Sequence, residues 1–200
     1  MKKIIIQGLG FVGSAMAIVI ASKLNNDGEP LFDVKGIDLP SGTGRDRIDS
    51  INSGKYPIKA NDSKLSSELK KAVEHGNLRA THEKKEFSDA DVVMVSINCD
   101  LVNEHGQVKI AMDHFTGSIR EIAENISENT LVIIESTIPP GACEKIVYPL
   151  FSDVFKKRNL NIGNLYLAHS YERVMPGDEY FDSIINYWRV YAGINEESAD

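Results

Sequence analysis

Near its amino terminus the chain reads Ile4-Ile5-Ile6-Gln7-Gly8-Leu9-Gly10-Phe11-Val12-Gly13, a β-branched run that leads into a GxGxxG pattern. An apolar, alanine-rich segment follows at 14–21. A strand, a tight glycine turn and a helix in this order are the fingerprint of a dinucleotide-binding βα unit. In that unit Gly8 permits the turn, Gly10 lets the backbone approach a pyrophosphate, and Gly13 lets the helix pack closely on the strand. The stretch therefore predicts a dinucleotide-binding α/β fold.

The residues around this turn predict which dinucleotide binds. Phe11 precedes the predicted helix and Val12 begins it, at the end where free N–H groups and the helix dipole favour a pyrophosphate. The second predicted strand, Asp33–Ile37, is followed by Asp38, whose carboxylate can accept hydrogen bonds from both adenosine ribose hydroxyls. A carboxylate there repels a 2′-phosphate, so NAD is expected rather than NADP. The alternative role for Asp38 is a turn cap before Pro40.

The rest of the chain alternates short apolar runs with longer segments of helical periodicity, which is the pattern of βαβ units. The runs 92–95 and 131–134 are apolar throughout, so both faces of those strands must be covered by helices. We therefore predict a Rossmann-type, doubly wound α/β fold with a mainly parallel sheet, helices on both faces, and one domain over 1–200. The predicted strands are 3–7, 33–37, 78–81, 92–97, 131–135, 165–168 and 189–192, and the predicted helices are 12–24, 63–75, 112–126 and 143–155.

Composition narrows the functional classes. The 200 residues carry 22 Lys and Arg against 29 Asp and Glu, a net charge of −7, so no nucleic-acid partner is expected. Cys99 and Cys143 form no CxxC pattern, and His169 has no partner at ligand spacing, so no disulfide framework or metal site is predicted. Segment 4–21 resembles a signal peptide in outline, but Gln7 and the glycines interrupt it. We expect a cytoplasmic protein without membrane association.

Three further motifs follow the glycine turn: Ile51-Asn52-Ser53-Gly54 with Pro57-Ile58, Glu135-Ser136-Thr137-Ile138-Pro139-Pro140-Gly141, and Glu172-Arg173-Val174-Met175-Pro176-Gly177. Together with the glycine turn they resemble the LNxG…P, ESTVPPG, PERVxPG and GLGYVG motifs of the nucleotide-sugar dehydrogenases of the UDP-glucose/GDP-mannose dehydrogenase family. The resemblance covers essentially the whole chain. It implies NAD as cofactor, a nucleotide-sugar substrate with a UDP-sugar favoured, and a role in polysaccharide biosynthesis.

This resemblance also implies a reaction, the oxidation of a sugar C6 alcohol to a carboxylate in two NAD-dependent steps, through an aldehyde and a cysteine-bound thioester. It implies that Thr137 positions water or the proton-transfer chain and that Glu172 acts in the acid–base chemistry of the hydrolytic step. On the residues alone, Thr137 could instead close a turn or cap a helix, and Glu172 could form a surface ion pair with Arg173.

The resemblance extends the cofactor site beyond the glycine turn and Asp38. It places Arg47 near the adenosine ribose and adds Cys99, Glu135, Ser136 and Thr137. One departure affects this region, because Ile97-Asn98-Cys99-Asp100 stands where the family has VPTP, so the stiff turn near the cofactor is lost.

A larger departure concerns the nucleophile. In the family the catalytic cysteine, with its lysine and asparagine helpers, belongs to a central helix and a sugar-binding domain that would follow Asp200. Neither Cys99 nor Cys143 stands in that motif or beside a basic cluster. We therefore expect a cofactor-binding fragment, inactive by itself, of a longer homodimeric enzyme. The form of the Glu172–Gly177 motif resembles members that act on N-acetylated UDP-hexosamines. The alternative is a stand-alone NAD-binding regulatory or sensor module without catalysis.

Overall fold

The computed structural model describes residues 1–59, 61–104, 106–173 and 177–200. Its strands are β1 (Lys2–Gln7), β2 (Phe32–Ile37), β3 (Leu78–Thr81), β4 (Val92–Val95), β5 (Leu101–Glu104), β6 (Gln107–Ile110), β7 (Leu131–Ile134), β8 (Tyr166–His169) and β9 (Ala192–Gly193). In this described part of the chain, seven of them form one sheet in the order β3-β2-β1-β4-β7-β8-β9. Only β9 runs antiparallel to its neighbour, and β5 and β6 form a separate antiparallel hairpin.

Helices cover both faces of the sheet. They are α1 (Phe11–Ala21), α2 (Gly42–Asn52), α3 (Ser63–His75), α4 (Asp113–Asn125), α5 (Tyr148–Lys157), α6 (Tyr180–Asn186) and the short α7 (Glu196–Ala199). On one face Ile4 and Ile6 pack against α1, α3 and α6, and on the other Ile5 packs in the core with α4 and α5. The apolar, β-branched run of β1 thus has both faces buried, and the predicted doubly wound fold is confirmed.

Local signals explain where the helices begin and end. The Asp62 side chain accepts a hydrogen bond of 2.8 Å from the Lys64 amide and so caps α3, which ends at Gly76 with a positive φ of 75°. In α4 the apolar residues at three- and four-residue spacing, Phe115 and Ile119 among them, are fully buried, as predicted. Among the described residues, no helix combines the length and apolar character needed to cross a bilayer.

Several sequence-based expectations differ from the structure. The first helix ends at Ala21 rather than at residue 24, because the chain turns at Ser22 and Leu24 pairs with Pro30. The predicted strand 189–192 is wrong except at its last residue, since only Ala192–Gly193 pairs with β8. The helix predicted over 143–155 begins with a π-helical turn, Cys143–Val147, before α5.

A further difference is α2, which lies in a region where the sequence predicts no helix. Its apolar signal is weak, because Ile48 and Ile51 are its only large buried residues. Gly44 is needed there for packing rather than for a turn, since a Cβ on it would lie 2.7 Å from the backbone nitrogen of Leu39. The hairpin of β5 and β6 was also missed, and its Leu101 side chain is 70% exposed, so burial places little constraint on its pattern.

The strand order determines where a ligand can bind. From β1 the chain proceeds to β2 and β3 on one side, and then crosses back to β4, β7 and β8 on the other. The connections therefore leave β1 and β4 in opposite directions, and a crevice opens beyond the carboxyl ends of these two strands.

Candidate active site

A cleft of about 620 Å³ occupies this crevice. Its wall combines the glycine turn after β1, the ends of β2, β4 and β7, part of α2, and the segment after β8. Among the predicted site residues, those that line it are Gly8, Gly10, Phe11, Val12, Asp38, Arg47, Cys99, Glu135, Thr137 and Glu172. The cleft thus brings together residues that lie far apart in the sequence, from Gly8 to Glu172.

The three glycines of the turn meet three different requirements. Gly8 has a φ of +92°, and a Cβ on it would lie 2.7 Å from the Ser96 carbonyl oxygen. A Cβ on Gly13 would lie 1.8 Å from the carbonyl oxygen of Gly8, so Gly13 lies beneath the cleft, where helix and strand pack. A Cβ on Gly10 would meet nothing within 4 Å. The open space above Gly10, at the start of α1, is a cradle that a side chain would fill and a pyrophosphate can enter.

Asp38 ties the end of β2 to the glycine turn. Its Oδ2 accepts a 3.0 Å hydrogen bond from the Leu9 amide, and its Oδ1 accepts one of 2.8 Å from the Leu39 amide. The Arg47 guanidinium lies 3.3 Å from Oδ2 and brings a positive charge to the same corner of the cleft. Asp38 therefore caps the local turn and also presents an ionisable carboxylate beside the glycine turn, which is the arrangement that suits an adenosine ribose.

Two glutamates meet at the opposite end of the cleft. The Glu135 side chain has 0% exposure and accepts hydrogen bonds from the Ser96 hydroxyl at 2.9 Å and from Arg189 Nη1 at 2.7 Å. Burial raises the pKa of Glu135, against the opposing effect of the Arg189 charge. Glu172 has a side-chain exposure of 4% and pairs with Nη2 of the same guanidinium. This contradicts a surface ion pair with Arg173, whose backbone amide instead donates to Glu172 Oε1 at 2.6 Å.

Arg189 is the site residue that sequence reasoning missed. The sequence places Arg189 in a predicted strand, 189–192, and a strand prediction concerns the backbone and not the contacts of the side chain. A signal was available, because Arg189 is the single Lys or Arg between residues 174 and 200. Two carboxylates at the ends of buried strands need a cation when they are desolvated, and that requirement identifies the guanidinium only once the fold brings the three side chains together.

Ser136 supports the turn after β4 instead of facing the cleft. Its hydroxyl accepts a 2.9 Å hydrogen bond from the Ile97 amide and lies 3.2 Å from the Val95 carbonyl oxygen, to which it donates. The next residues, Asn98 and Cys99, line the cleft wall. The Ser136 hydroxyl thus holds in place the segment where the sequence lacks the stiff proline-bracketed turn.

Residues 2–200 match the sequence profile of the UDP-glucose/GDP-mannose dehydrogenase family, NAD binding domain. The chain belongs to this family. The UDP-N-acetyl-D-mannosamine dehydrogenase of Methanococcus vannielii is 32% identical over 202 residues, covering 100% of this chain and 40% of that protein. The protein of the same name from Pyrococcus horikoshii is 30% identical over 198 residues, covering 99% of this chain and 42% of its own.

Solved structures agree with this assignment. The NDP-N-acetyl-D-galactosaminuronic acid dehydrogenase of Methanosarcina mazei matches with a TM-score of 0.86 and 28% identity, over 99% of this chain and 40% of its own. The Pyrococcus horikoshii UDP-D-ManNAc dehydrogenase matches with a TM-score of 0.82 and 31% identity, over 98% of this chain and 42% of its own. The chain thus spans about 40% of the length of the relatives it matches. It is an NAD-binding domain of a nucleotide-sugar dehydrogenase family, and NAD is its cofactor.

The two cysteines of this domain are poor nucleophiles. Burial, with a smaller effect from Glu144, raises the pKa of Cys143 to about 11. Burial and the neighbouring Asp100 also raise the pKa of Cys99. A raised pKa lowers the thiolate fraction at neutral pH, and the thiolate is the reactive form. Both thiols are partly buried.

A second cavity of about 630 Å³ lies next to the cleft, and Thr137 lines both. Its walls come from the loop 138–144 and from β8 and β9, with His169 and Tyr171 at one side. A ring nitrogen of His169 lies 3.2 Å from the Ser136 carbonyl oxygen. Thr137 is exposed between the two spaces, so its hydroxyl can contact a group held in either.

Proposed function

We propose that this domain is the cofactor-binding part of an enzyme that oxidises the C6 alcohol of a UDP-N-acetylhexosamine to a carboxylate in two NAD-dependent steps. The names of the two relatives at 30% and 32% identity, both UDP-N-acetyl-D-mannosamine dehydrogenases, support this substrate class. So does the Glu172–Gly177 motif, although residues 174–176 lie outside the described part of the chain.

One observation carries the proposal: a single cleft holds both the dinucleotide-binding features and two candidate catalytic side chains. Gly10 and Asp38 line it at the glycine turn, and Thr137 and Glu172 line it at the ends of β7 and β8. NAD supplies the hydride acceptor when it is bound. The Thr137 hydroxyl would hold a water molecule or the cofactor amide, and the Glu172 carboxylate would accept or donate a proton in the hydrolytic step. A sensor module needs neither group, so their presence in the cleft disfavours that alternative.

The nucleophile of the thioester step would lie outside these 200 residues. The raised pKa values of Cys99 and Cys143 support this, because neither thiol is activated by a nearby base or cation. This domain would therefore bind NAD and catalyse no turnover by itself. The complete enzyme would be a cytoplasmic homodimer that acts in polysaccharide biosynthesis.

The test of cofactor binding is a calorimetric titration of this chain with NAD and with NADP. We expect NAD to bind at least about tenfold more tightly than NADP, because the Asp38 carboxylate hydrogen-bonds a free ribose and repels a 2′-phosphate. Asp38→Asn keeps an acceptor for the Leu9 amide but removes the charge, so the ratio should shrink. Asp33→Asn, at the start of β2 and away from the cleft, is the matched control and should bind like the wild type.

Two results would contradict these assignments. If the folded wild-type chain binds neither dinucleotide, the cleft alone does not form the cofactor site. If Asp38→Asn and Asp33→Asn change the ratio of the NAD and NADP affinities equally, the Asp38 carboxylate does not discriminate between a free ribose and one with a 2′-phosphate. The substrate assignment has its own test, since a polypeptide that includes the remaining length of the relatives should form two NADH per UDP-N-acetylhexosamine consumed. One NADH per sugar would exclude the two-step reaction.

A further inference from the structure

The Arg189 guanidinium contacts two buried carboxylates at once, and nothing in the proposed reaction accounts for it. Its Nη1 donates to Glu135 Oε1 at 2.7 Å, and its Nη2 pairs with Glu172 Oε2. The Arg189 side chain is itself 24% exposed, and Nη2 also lies 3.5 Å from the Met16 sulfur on α1. The three charged groups therefore form one cluster beneath the cleft, and we refer to Glu135, Glu172 and Arg189 as the glutamate cluster.

The segment that carries Arg189 is anchored on both sides of the glycine turn. The Phe181 amide donates to Asp62 Oδ2 at 2.8 Å, which ties the start of α6 to the start of α3. The Tyr180 hydroxyl donates to the Phe11 carbonyl oxygen at 3.3 Å, in the first turn of α1. The helix α6 thus crosses α1 in a position held by one buried and one partly buried hydrogen bond, and Arg189 follows shortly after the end of this helix at Asn186.

We propose that Arg189 is a positioning residue, which holds the Glu172 carboxylate at the cleft wall by bridging it to the buried Glu135. The inference rests on the proposed function, in which Glu172 moves a proton. A guanidinium presents several N–H donors in a rigid plane and can bind two carboxylates through different nitrogens. Glu135 is fixed by Ser96 at the end of β4, so the bridge transmits the rigidity of the sheet to a residue in the loop after β8.

Charge gives Arg189 a second effect on Glu172. When both glutamates are ionised the cluster holds two negative charges and one positive charge. Without the guanidinium, two desolvated carboxylates would remain, and like charges of this kind raise the pH at which one of them takes up a proton. Other titratable groups face the cluster: Tyr180 interacts electrostatically with Glu135 and with Tyr56, and Arg173 adjoins Glu172. Both tyrosines have raised pKa values from burial and stay neutral at physiological pH.

The experiment is a pH titration of the glutamate side-chain carboxyls by carbon-13 NMR on this chain, with the Glu172 signal assigned by its loss in Glu172→Gln. We expect Arg189→Gln to move the titration of Glu172 upward by about one pH unit or more, a tenfold change in proton affinity. Arg189→Lys restores a charge and should return most of that shift. Arg45→Gln, which removes an exposed arginine on α2, is the matched control and should leave the Glu172 titration unchanged.

Each outcome decides the proposal. An unchanged Glu172 titration in Arg189→Gln would overturn it, as would an equal shift in Arg45→Gln. If Arg189→Gln fails to fold, the residual upward shift in Arg189→Lys decides, because its ammonium cannot bridge two carboxylates in a planar fork, and an Arg189→Lys titration identical to that of the wild type would overturn the proposal. The titration requires no cofactor, so it remains informative if the chain fails to bind NAD. Failure of the proposed function and failure of the Arg189 assignment are therefore separate results.

Discussion

The described residues of this domain include two buried ion clusters, and their charge compositions are opposite. The lysine cluster joins Lys3 of β1 and Lys35 of β2 to Glu86, which lies in the 3₁₀ segment Lys84–Asp89 and has a side-chain exposure of 13%. Glu86 lies 2.5 Å from Lys35 and 3.3 Å from Lys3, and Lys3 also pairs with Asp89. In the glutamate cluster two acids share one cation, whereas in the lysine cluster the central acid Glu86 contacts both lysines and, at 3.4 Å, the exposed Arg79.

The difference between the clusters indicates a structural role for the lysine cluster and a functional role for the glutamate cluster. In the lysine cluster every buried charge faces an opposite charge, and none of its residues lines the cleft. In the glutamate cluster two buried acids share one guanidinium, and both acids line the cleft. Burying two like charges beside one cation costs stability, and proteins tolerate that cost mainly at functional sites. The balance of buried charges, rather than their burial alone, thus points to the candidate active site.

The largest expected effect comes from neutralising the acid of the lysine cluster. Glu86→Gln leaves the buried Lys35 ammonium without the carboxylate it contacts and leaves Lys3 with Asp89 alone, and we expect a loss of about 3 kcal/mol in the free energy of unfolding. For a domain of this size that corresponds to a fall of about 6–12 °C in Tm. Calorimetric or circular-dichroism melting checks the prediction. The change leaves every residue that lines the cleft in place, so the folded protein should still bind NAD.

The control for this change is Glu83→Gln, three residues earlier. Glu83 is half-exposed and pairs only at the surface with His82 and Lys85, so its loss should cost less than about 0.5 kcal/mol. A comparable loss in both variants would show that burial of the lysine cluster does not determine its contribution.

A smaller effect distinguishes the clusters by pH. Burial acts to raise the pKa of Glu86, but the positive charges of Lys35 and Lys3 outweigh burial and lower it. The contribution of Glu86 to stability is therefore present above a pH of about 4.3 and is lost as the pH falls through the lowered pKa. Burial raises the pKa of Glu135. The contribution of Glu135 to stability is therefore fully present below a pH of about 4.3 and is lost as the pH rises through the raised pKa.

These opposite signs predict that stability is greatest at mildly acidic pH rather than at pH 7. Tm measured across the pH range tests this, with Glu86→Gln as the variant that should lose the acid-side decline. A Tm that rises steadily from pH 4 to pH 8 would contradict the raised pKa of Glu135.

The same contrast explains how much of the molecule could be predicted from its sequence. The glycine turn, Asp38 and the ends of β7 and β8 were predictable, because backbone constraints and strand ends are encoded in adjacent residues. The pairing of Glu135 with Arg189 spans 54 residues and depends on how α6 crosses α1, which no local pattern encodes. Ser136 shows the intermediate case, since its position after a buried strand was evident but its bond to Ile97 across two strands was not.

The smallest expected effect comes from making in the glutamate cluster the same change that damages the lysine cluster. Glu172→Gln removes one of the two acids, and Arg189 keeps its 2.7 Å contact with Glu135. The carboxamide of glutamine can accept from only one of the two donors that contact Glu172, the Arg173 amide or Arg189 Nη2, but both donors belong to residues that are exposed or partly exposed, so the loss stays small. We expect the free energy of unfolding to change by less than about 1 kcal/mol in either direction, against about 3 kcal/mol for Glu86→Gln. Urea unfolding of the two variants side by side measures the difference. Equal losses would mean that Glu172 and Glu86 contribute equally to the free energy of unfolding. The sharing of one guanidinium by two acids would then not identify the functional cluster.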